Sequence, residues 1–176
     1  MQIFSLQTPR GWMAGSWSEA GLKALVLPQA GPEAALEKLA GELKIPLTSL
    51  PAPSSAGSPA RSLVEEIQRY FQGEKVDFST EIDWSDYTPF QRRVLEIVKA
   101  IPPGEARSYS EVAREAGSPR GARAVGGVMA ANRTPLVIPC HRVLASGGGL
   151  GGFGGGLELK GYLLELEGRL SSRATI

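Results

Sequence analysis

The sequence predicts an α+β protein in two parts, a small N-terminal α/β unit at 1–80 and a mostly helical unit at 81–176. Three observations lead there. Short apolar runs broken by turn formers fill residues 3–27, the pattern of strands. Apolar residues at helical spacing follow between residues 32 and 71. From residue 88 onward, helix starts are punctuated by capping boxes. Charge divides along nearly the same line. Residues 1–87 carry 7 Lys+Arg against 11 Asp+Glu, whereas residues 88–176 carry 12 against 7.

Ile3–Thr8, Trp12–Trp17 and Leu22–Leu27 are the expected strands, with turns at Pro9–Gly11 and near Glu19–Gly21 and a stop at Pro28. A helix is expected from Pro32, with Ala35, Leu36, Leu39, Ala40 and Leu43 on its core face. Residues 45–60, rich in Pro, Ser and Ala, read as a loop and mobile connection. A second helix is expected from about Ala60 to Phe71, stopping at Gly73, and acidic, aromatic residues 76–87 read as the linker. Nothing in this half carries chemistry, so its expected role is scaffold.

Thr88-Pro89-Phe90-Gln91 opens the next helix, which ends at Pro102-Pro103-Gly104. Ser108-Tyr109-Ser110-Glu111 opens a short helix through Ala116. After Gly117, Ser118 is the expected N-cap of a third helix running to about Ala131. A short helix, a glycine turn and a second helix in a basic region make a helix-turn-helix pattern. The third helix is almost all small residues, and Arg123 is its lone long side chain. Such a surface packs closely on a neighbouring helix or enters a narrow groove, and Arg123 is placed to act there as a wedge. A last helix is expected from Leu157 to about Leu170.

Composition narrows the function classes. No apolar stretch approaches the roughly 18 residues of a membrane span, and Met1–Ser5 shows no leader pattern. One Cys and one His rule out an internal disulfide and argue against a zinc site. Nine of the twelve basic residues in the second half lie between Arg92 and Arg142, and eight of these are Arg. A polyanion-binding face and a solvated arginine-rich surface both fit that distribution.

The lone Cys and the lone His are adjacent, in Pro139-Cys140-His141-Arg142-Val143. A thiol needs a base or a positive environment to become the reactive thiolate, so this pairing points to nucleophilic chemistry. The glycines at 147–156 lack the following Lys-Ser/Thr of a phosphate loop. A wing, or a pocket wall of exposed backbone N–H groups, fits them better.

Pro139–Val143 resembles the active-site motif of the O6-alkylguanine-DNA alkyltransferases. Thr88–Gln91, Ile101–Glu105, Ser108-Tyr109, Ala122–Gly127, Asn132 and Gly155–Leu157 fall where that family has similar signatures, so the resemblance covers about residues 80–170. It implies a ribonuclease-H-like N-terminal unit and a winged-helix-like second unit. The partner is then double-stranded DNA bearing O6-alkylguanine (O4-alkylthymine is a further candidate), bound through the minor groove by a cytoplasmic, nucleoid-associated monomer. The resemblance implies no cofactor and no metal.

It also implies roles. Cys140 accepts the alkyl group, His141 takes the thiol proton through a water, Glu167 polarises His141, and Asn132 holds the turn. Tyr109 crowds the phosphate and donates to the base. The base is flipped out of the duplex, Arg123 fills the vacated space, and Ser118, Ala122, Gly126 and Arg142 join it in binding DNA. Pro135, Val137, Ile138, Phe153 and Gly154 form the base pocket. Phe153 and Gly154 depart from the family, where Tyr and a Ser or Ala are common. Three rivals stand beside this reading: a damage-recognition protein without catalysis, a winged-helix regulator and a Cys-His hydrolase. Cys140 separates the first, base-reading side chains the second and turnover the third.

Overall fold

A computed structural model describes residues 1–54 and 58–168. Its contacts divide the chain into Met1–Asp86 and Tyr87–Ile176, and the fold is α+β.

In the first unit, β1 (Gln2–Thr8), β2 (Gly11–Ser18) and β3 (Gly21–Gln29) form an antiparallel sheet in the order β1-β2-β3. The turn glycines are required where they stand. Gly21 has φ +134°, and a Cβ there would lie 2.6 Å from the Glu81 carbonyl oxygen. Gly15 is bare for another reason: a Cβ would lie 2.4 Å from the Phe4 ring, which packs across β2. Helix α1 (Pro32–Leu43) begins with Pro at its first position and ends at Lys44 in the left-handed conformation. Its Ala35 and Leu39 join Ile3, Ala14, Ala24 and Val26 in one apolar cluster. Burying a side chain such as Leu39 contributes about 1.5–3 kcal/mol. Helix α2 (Ser58–Phe71) packs against β1.

The first unit departs from expectation in three places. Strand β3 continues through Pro28, because it is an edge strand and the missing N–H deprives no neighbour. A short 3-10 turn at Leu47–Ser49 interrupts the expected loop, of which residues 55–57 lie outside the described residues. Residues 81–86 belong to the first unit, so the division falls at Asp86, six residues after 80. Leu22 N–H donates to the Glu81 carbonyl at 2.9 Å, and Asp83 N–H donates to the Leu22 carbonyl at 3.0 Å. The Asp83 carboxylate accepts from Ser18 at 2.6 Å and pairs with Lys23 at 3.5 Å.

The second unit runs α3 (Pro89–Lys99), β4 (Arg107–Ser108), α4 (Tyr109–Glu115), α5 (Ala122–Ala130), β5 (Val143–Leu144) and α6 (Leu157–Leu166). Both capping boxes form, with Gln91 accepting from Thr88 N–H at 2.9 Å and Glu111 from Ser108 N–H at 2.6 Å. Strands β4 and β5 pair in parallel, a two-residue ladder between segments distant in the chain, with no turn to announce it. Ser118 does not cap α5. Its carbonyl closes a turn onto Gly121 N–H at 2.7 Å, and the helix starts after Gly121, where a Cβ would lie 2.4 Å from the Ser118 hydroxyl. Helix α6 ends at Leu166 rather than near Leu170. Glu167 follows at its C-cap and Gly168 has φ +79°, which any other residue would resist; residues 169 and 170 lie outside the described residues. Among the described residues, no helix is long and apolar enough to cross a membrane.

Candidate active site

Residues 132–142 form a compact turn that delivers Cys140. Asn132 organises it: its side-chain N–H donates to the Ile138 carbonyl at 3.0 Å, and its oxygen accepts from Thr134 N–H at 3.1 Å. Ile138 N–H donates in turn to the Thr134 carbonyl at 2.9 Å. Leu136 sits at φ +71°, a left-handed conformation that costs a bulky residue about 1–3 kcal/mol and persists only where its surroundings over-determine it. Cys140, His141 and Arg142 then make one 3-10 turn.

Cys140 is 8% exposed. It opens onto a cavity of about 320 Å³ whose walls include Tyr109, Gly126, Met129, Phe153 and Gly154. Burial pushes its pKa up, against an Asn132 hydrogen bond, the Lys160 charge and the backbone N–H groups of Cys140 and His141. The thiol is therefore protonated at rest and needs a base. Tyr109 stands at the start of α4. Burial pushes its phenol up, and the nearby Cys140 adds to this, while Gly152 N–H donates to its oxygen.

His141 is buried behind the cysteine, with Nε2 2.7 Å from Glu167 Oε1. Burial lowers its pKa most, although Glu167 opposes that. The Glu167 carboxyl is held down at about 2 despite its burial, because His141 and Arg142 both donate to it. A carboxylate only accepts, so Nε2 must carry the hydrogen, and the lone pair of the neutral ring lies on Nδ1. This arrangement suits a base whose cation is stabilised as it forms.

Arg142, expected among the DNA-binding residues, faces inward. It is 4% exposed and grips Glu167 with two nitrogens, at 3.0 and 2.9 Å, while a third donates to the Ile101 carbonyl. Its sequence context as one of nine clustered basic residues hid this, since nothing local marks an inward-facing arginine. Pro135, Val137 and Ile138 are also buried and do not line the cavity. Both backbone groups of Ile138 are engaged within the turn, the carbonyl also accepting from Cys140 N–H at 2.8 Å, so they are not free to read a base. Arg123 is exposed on α5, with Ala122 and Gly126 half-buried beside it and Ser118 half-buried in the preceding turn.

One buried charged residue near the cysteine escaped the sequence reading. Lys160 on α6 is completely buried. Its ammonium donates to the carbonyls of Val143 at 2.7 Å, Gly152 at 3.2 Å and Leu150, and lies 6.0 Å from the Tyr109 ring centre. Burial pulls its pKa down to about 8, with the neighbouring Cys140 pulling upward. Lys160 thus ties the glycine-rich segment into a wall. The available signal was a lysine among Leu159, Leu163 and Leu164, on the apolar side of its helix.

A family model described as the DNA-binding domain of 6-O-methylguanine DNA methyltransferase matches residues 89–169. The methylated-DNA–protein-cysteine methyltransferase of Methanothermobacter thermautotrophicus is 46% identical over 117 residues, a match that spans 65% of this chain and 65% of that relative. The crystal structure of the Mycobacterium tuberculosis O6-methylguanine methyltransferase is similar with a TM-score of 0.76 and 33% identity, over 97% of this chain and 95% of that one. That of Mycobacterium tuberculosis OGT in complex with DNA gives 0.72 and 30%, over 95% and 92%. With a third of its residues identical across nearly the whole of that solved relative, the chain belongs to the O6-methylguanine DNA methyltransferase family.

Proposed function

We propose that the chain is a direct-reversal DNA-repair protein, a methylated-DNA–protein-cysteine methyltransferase. It transfers the alkyl group of O6-alkylguanine in duplex DNA to Cys140. The observation that carries this reading is a buried thiol at a cavity wall, backed by a neutral His141 whose Nε2 is fixed on Glu167.

His141 Nδ1 takes the thiol proton through a bridging water, and Glu167 stabilises the imidazolium. The thiolate attacks the alkyl carbon in line with the C–O6 bond. The bond's electrons leave with the guanine, which takes up a proton with help from Tyr109. The product thioether is stable, so each molecule acts once and needs no cofactor. O4-alkylthymine presents similar chemistry and is a second candidate substrate.

The target oxygen is out of reach in a stacked duplex, so the nucleotide is flipped out at a cost of a few kcal/mol. Helices α4 and α5 act as the helix-turn-helix of a winged-helix-like unit. The small surface of α5 enters the minor groove, with contributions from Ala122, Gly126 and the Ser118 turn, and Arg123 fills the vacated stack. The N-terminal unit is a ribonuclease-H-like scaffold, and the protein works as a cytoplasmic, nucleoid-associated monomer.

The test is stoichiometry. With an excess of duplex carrying radiolabelled O6-methylguanine, one methyl per protein molecule is transferred and the reaction then stops. Continued turnover, or binding without transfer, would refute the reading.

A further inference from the structure

The turn that delivers Cys140 satisfies much of its backbone from within. Asn132 N–H donates to the Met129 carbonyl at 3.2 Å, Thr134 N–H to the Asn132 side chain at 3.1 Å and Ile138 N–H to the Thr134 carbonyl at 2.9 Å. The backbone N–H of Arg133 is different: it donates to the hydroxyl oxygen of Tyr87 at 3.0 Å, 46 residues away in the chain. In the sequence Tyr87 reads only as the end of a linker, 76–87. In the structure it belongs to the same unit as the turn. It directly precedes Thr88, the N-cap of α3, and the capping box and Pro89 fix the backbone there. A tyrosine has few rotatable bonds, so the phenol is a stiff arm on an anchored helix start. Helix α3 also holds the far end of the segment. The Ile101 carbonyl, just beyond α3, accepts from Arg142, and α3 packs against the Cys140–Arg142 turn. Residues 133–142 are thus moored at both ends to the flanks of one helix, with Cys140 and the left-handed Leu136 between the moorings. A strained conformation persists only where its surroundings over-determine it.

We infer that Tyr87 is a positioning residue for alkyl transfer: its hydroxyl, bonded to Arg133 N–H, holds the entrance of the 133–142 segment so that the Cys140 sulfur stays in line with the alkyl carbon. The inference rests on the alkyl transfer proposed above. Tyr87 does not line the cavity beside Cys140, and it acts through the backbone of Arg133 rather than on the reacting atoms. In-line displacement tolerates little misplacement: a shift of about 1 Å can cost roughly a hundredfold in rate. One hydrogen bond among several that shape the turn has a smaller share of that effect.

The test compares the full parent chain with Tyr87→Phe, which removes one oxygen and keeps the ring. Single-turnover transfer from duplex carrying O6-methylguanine is followed over a range of duplex concentrations. Hydrogen exchange of the peptide 131–139 is followed in parallel without DNA. In Tyr87→Phe the maximal transfer rate falls about three- to tenfold, the scale of one hydrogen bond. The duplex concentration at half-maximal rate stays at the parental value, and exchange quickens in the turn but not in α5. Thermal unfolding gives the folded fraction, so that rates are compared per folded molecule. Tyr87→Met, which also lacks the oxygen, serves if Tyr87→Phe does not fold. An unchanged maximal rate, a loss confined to duplex affinity, or unchanged exchange in the turn overturns the inference, and transfer by the parent chain leaves the alkyl-transfer reading standing. A parent chain that transfers no methyl overturns that reading, and the inference falls with it.

Discussion

The two units fill their interiors differently. In the N-terminal unit the buried positions are mainly apolar, from Phe4 and Met13 to Leu63 and Tyr70. Among its described residues Asp83 is a buried carboxylate, and Lys23 reaches it. The C-terminal unit buries Cys140, His141, Arg142 and Lys160 together, with Glu167 among them. Buried charges of this kind stabilise a fold poorly compared with apolar side chains, because each must be desolvated before it can pair. Their presence marks where the fold gives up packing for chemistry. The first interior is held mainly by apolar packing, and the second also by a network of buried charged and polar groups around Glu167.

The comparison breaks first at the nucleophile. Cys140→Ala abolishes alkyl transfer completely, and the thermal midpoint stays close to that of the parent, since a small buried group is replaced by another. Residual transfer in a single-turnover assay would show that the acceptor lies elsewhere.

Arg142→Met comes next. It leaves Glu167 as a buried charge with one partner fewer, at a cost of about 3–5 kcal/mol in denaturant unfolding. Alkyl transfer slows as well, because Glu167 no longer holds its charge as firmly against His141. If Arg142 instead met DNA, the variant would keep its stability and lose salt-dependent binding.

Lys160→Met strands three carbonyls, and each unsatisfied buried group costs about 1–3 kcal/mol, softened by rearrangement of the glycine wall. Transfer falls with it, and Lys160→Arg restores part of the rate, because a cation again reaches the wall. Equal losses in the Met and Arg variants would mean that a cation alone does not hold the wall.

The smallest effect belongs to the N-terminal unit. Asp83 is held down at about 2 by hydrogen bonds from Ser18 and Ser85 and the Lys23 charge, which outweigh its burial. Its folded value lies below the ordinary 3.8, so its contribution is complete above about pH 4 and is lost as pH falls towards 2. Asp83→Asn therefore costs about 1 kcal/mol at neutral pH, flattens the acid limb of the stability curve and leaves alkyl transfer at parental rate. Glu167, also at about 2 against an ordinary 4.5, follows the same sign, but its protonation ends transfer too.

How much of this was legible follows from the range of the interactions. Capping boxes at Thr88 and Ser108 span three residues, so they can be read directly, and so can the alternation of Ile3–Thr8. Cys140 and His141 are neighbours in the chain, and their chemistry announced itself. Contacts across long separations left no local trace. Lys160 meets Val143 and Leu150, Arg142 meets Ile101, and Leu22 meets Ile82. Ser118 looked like a helix cap because its neighbours Gly117 and Pro119 suit one. A single turn bond to Gly121 decided otherwise.

The most direct test is a mass measurement. The chain is incubated with duplex carrying O6-methylguanine and digested, and the peptide containing Cys140 is analysed together with the DNA. The expected result is that this peptide gains one methyl in place of one hydrogen, in step with the appearance of unmodified guanine. Repaired guanine with an unmodified Cys140 peptide, or an untouched lesion in a formed complex, would contradict it.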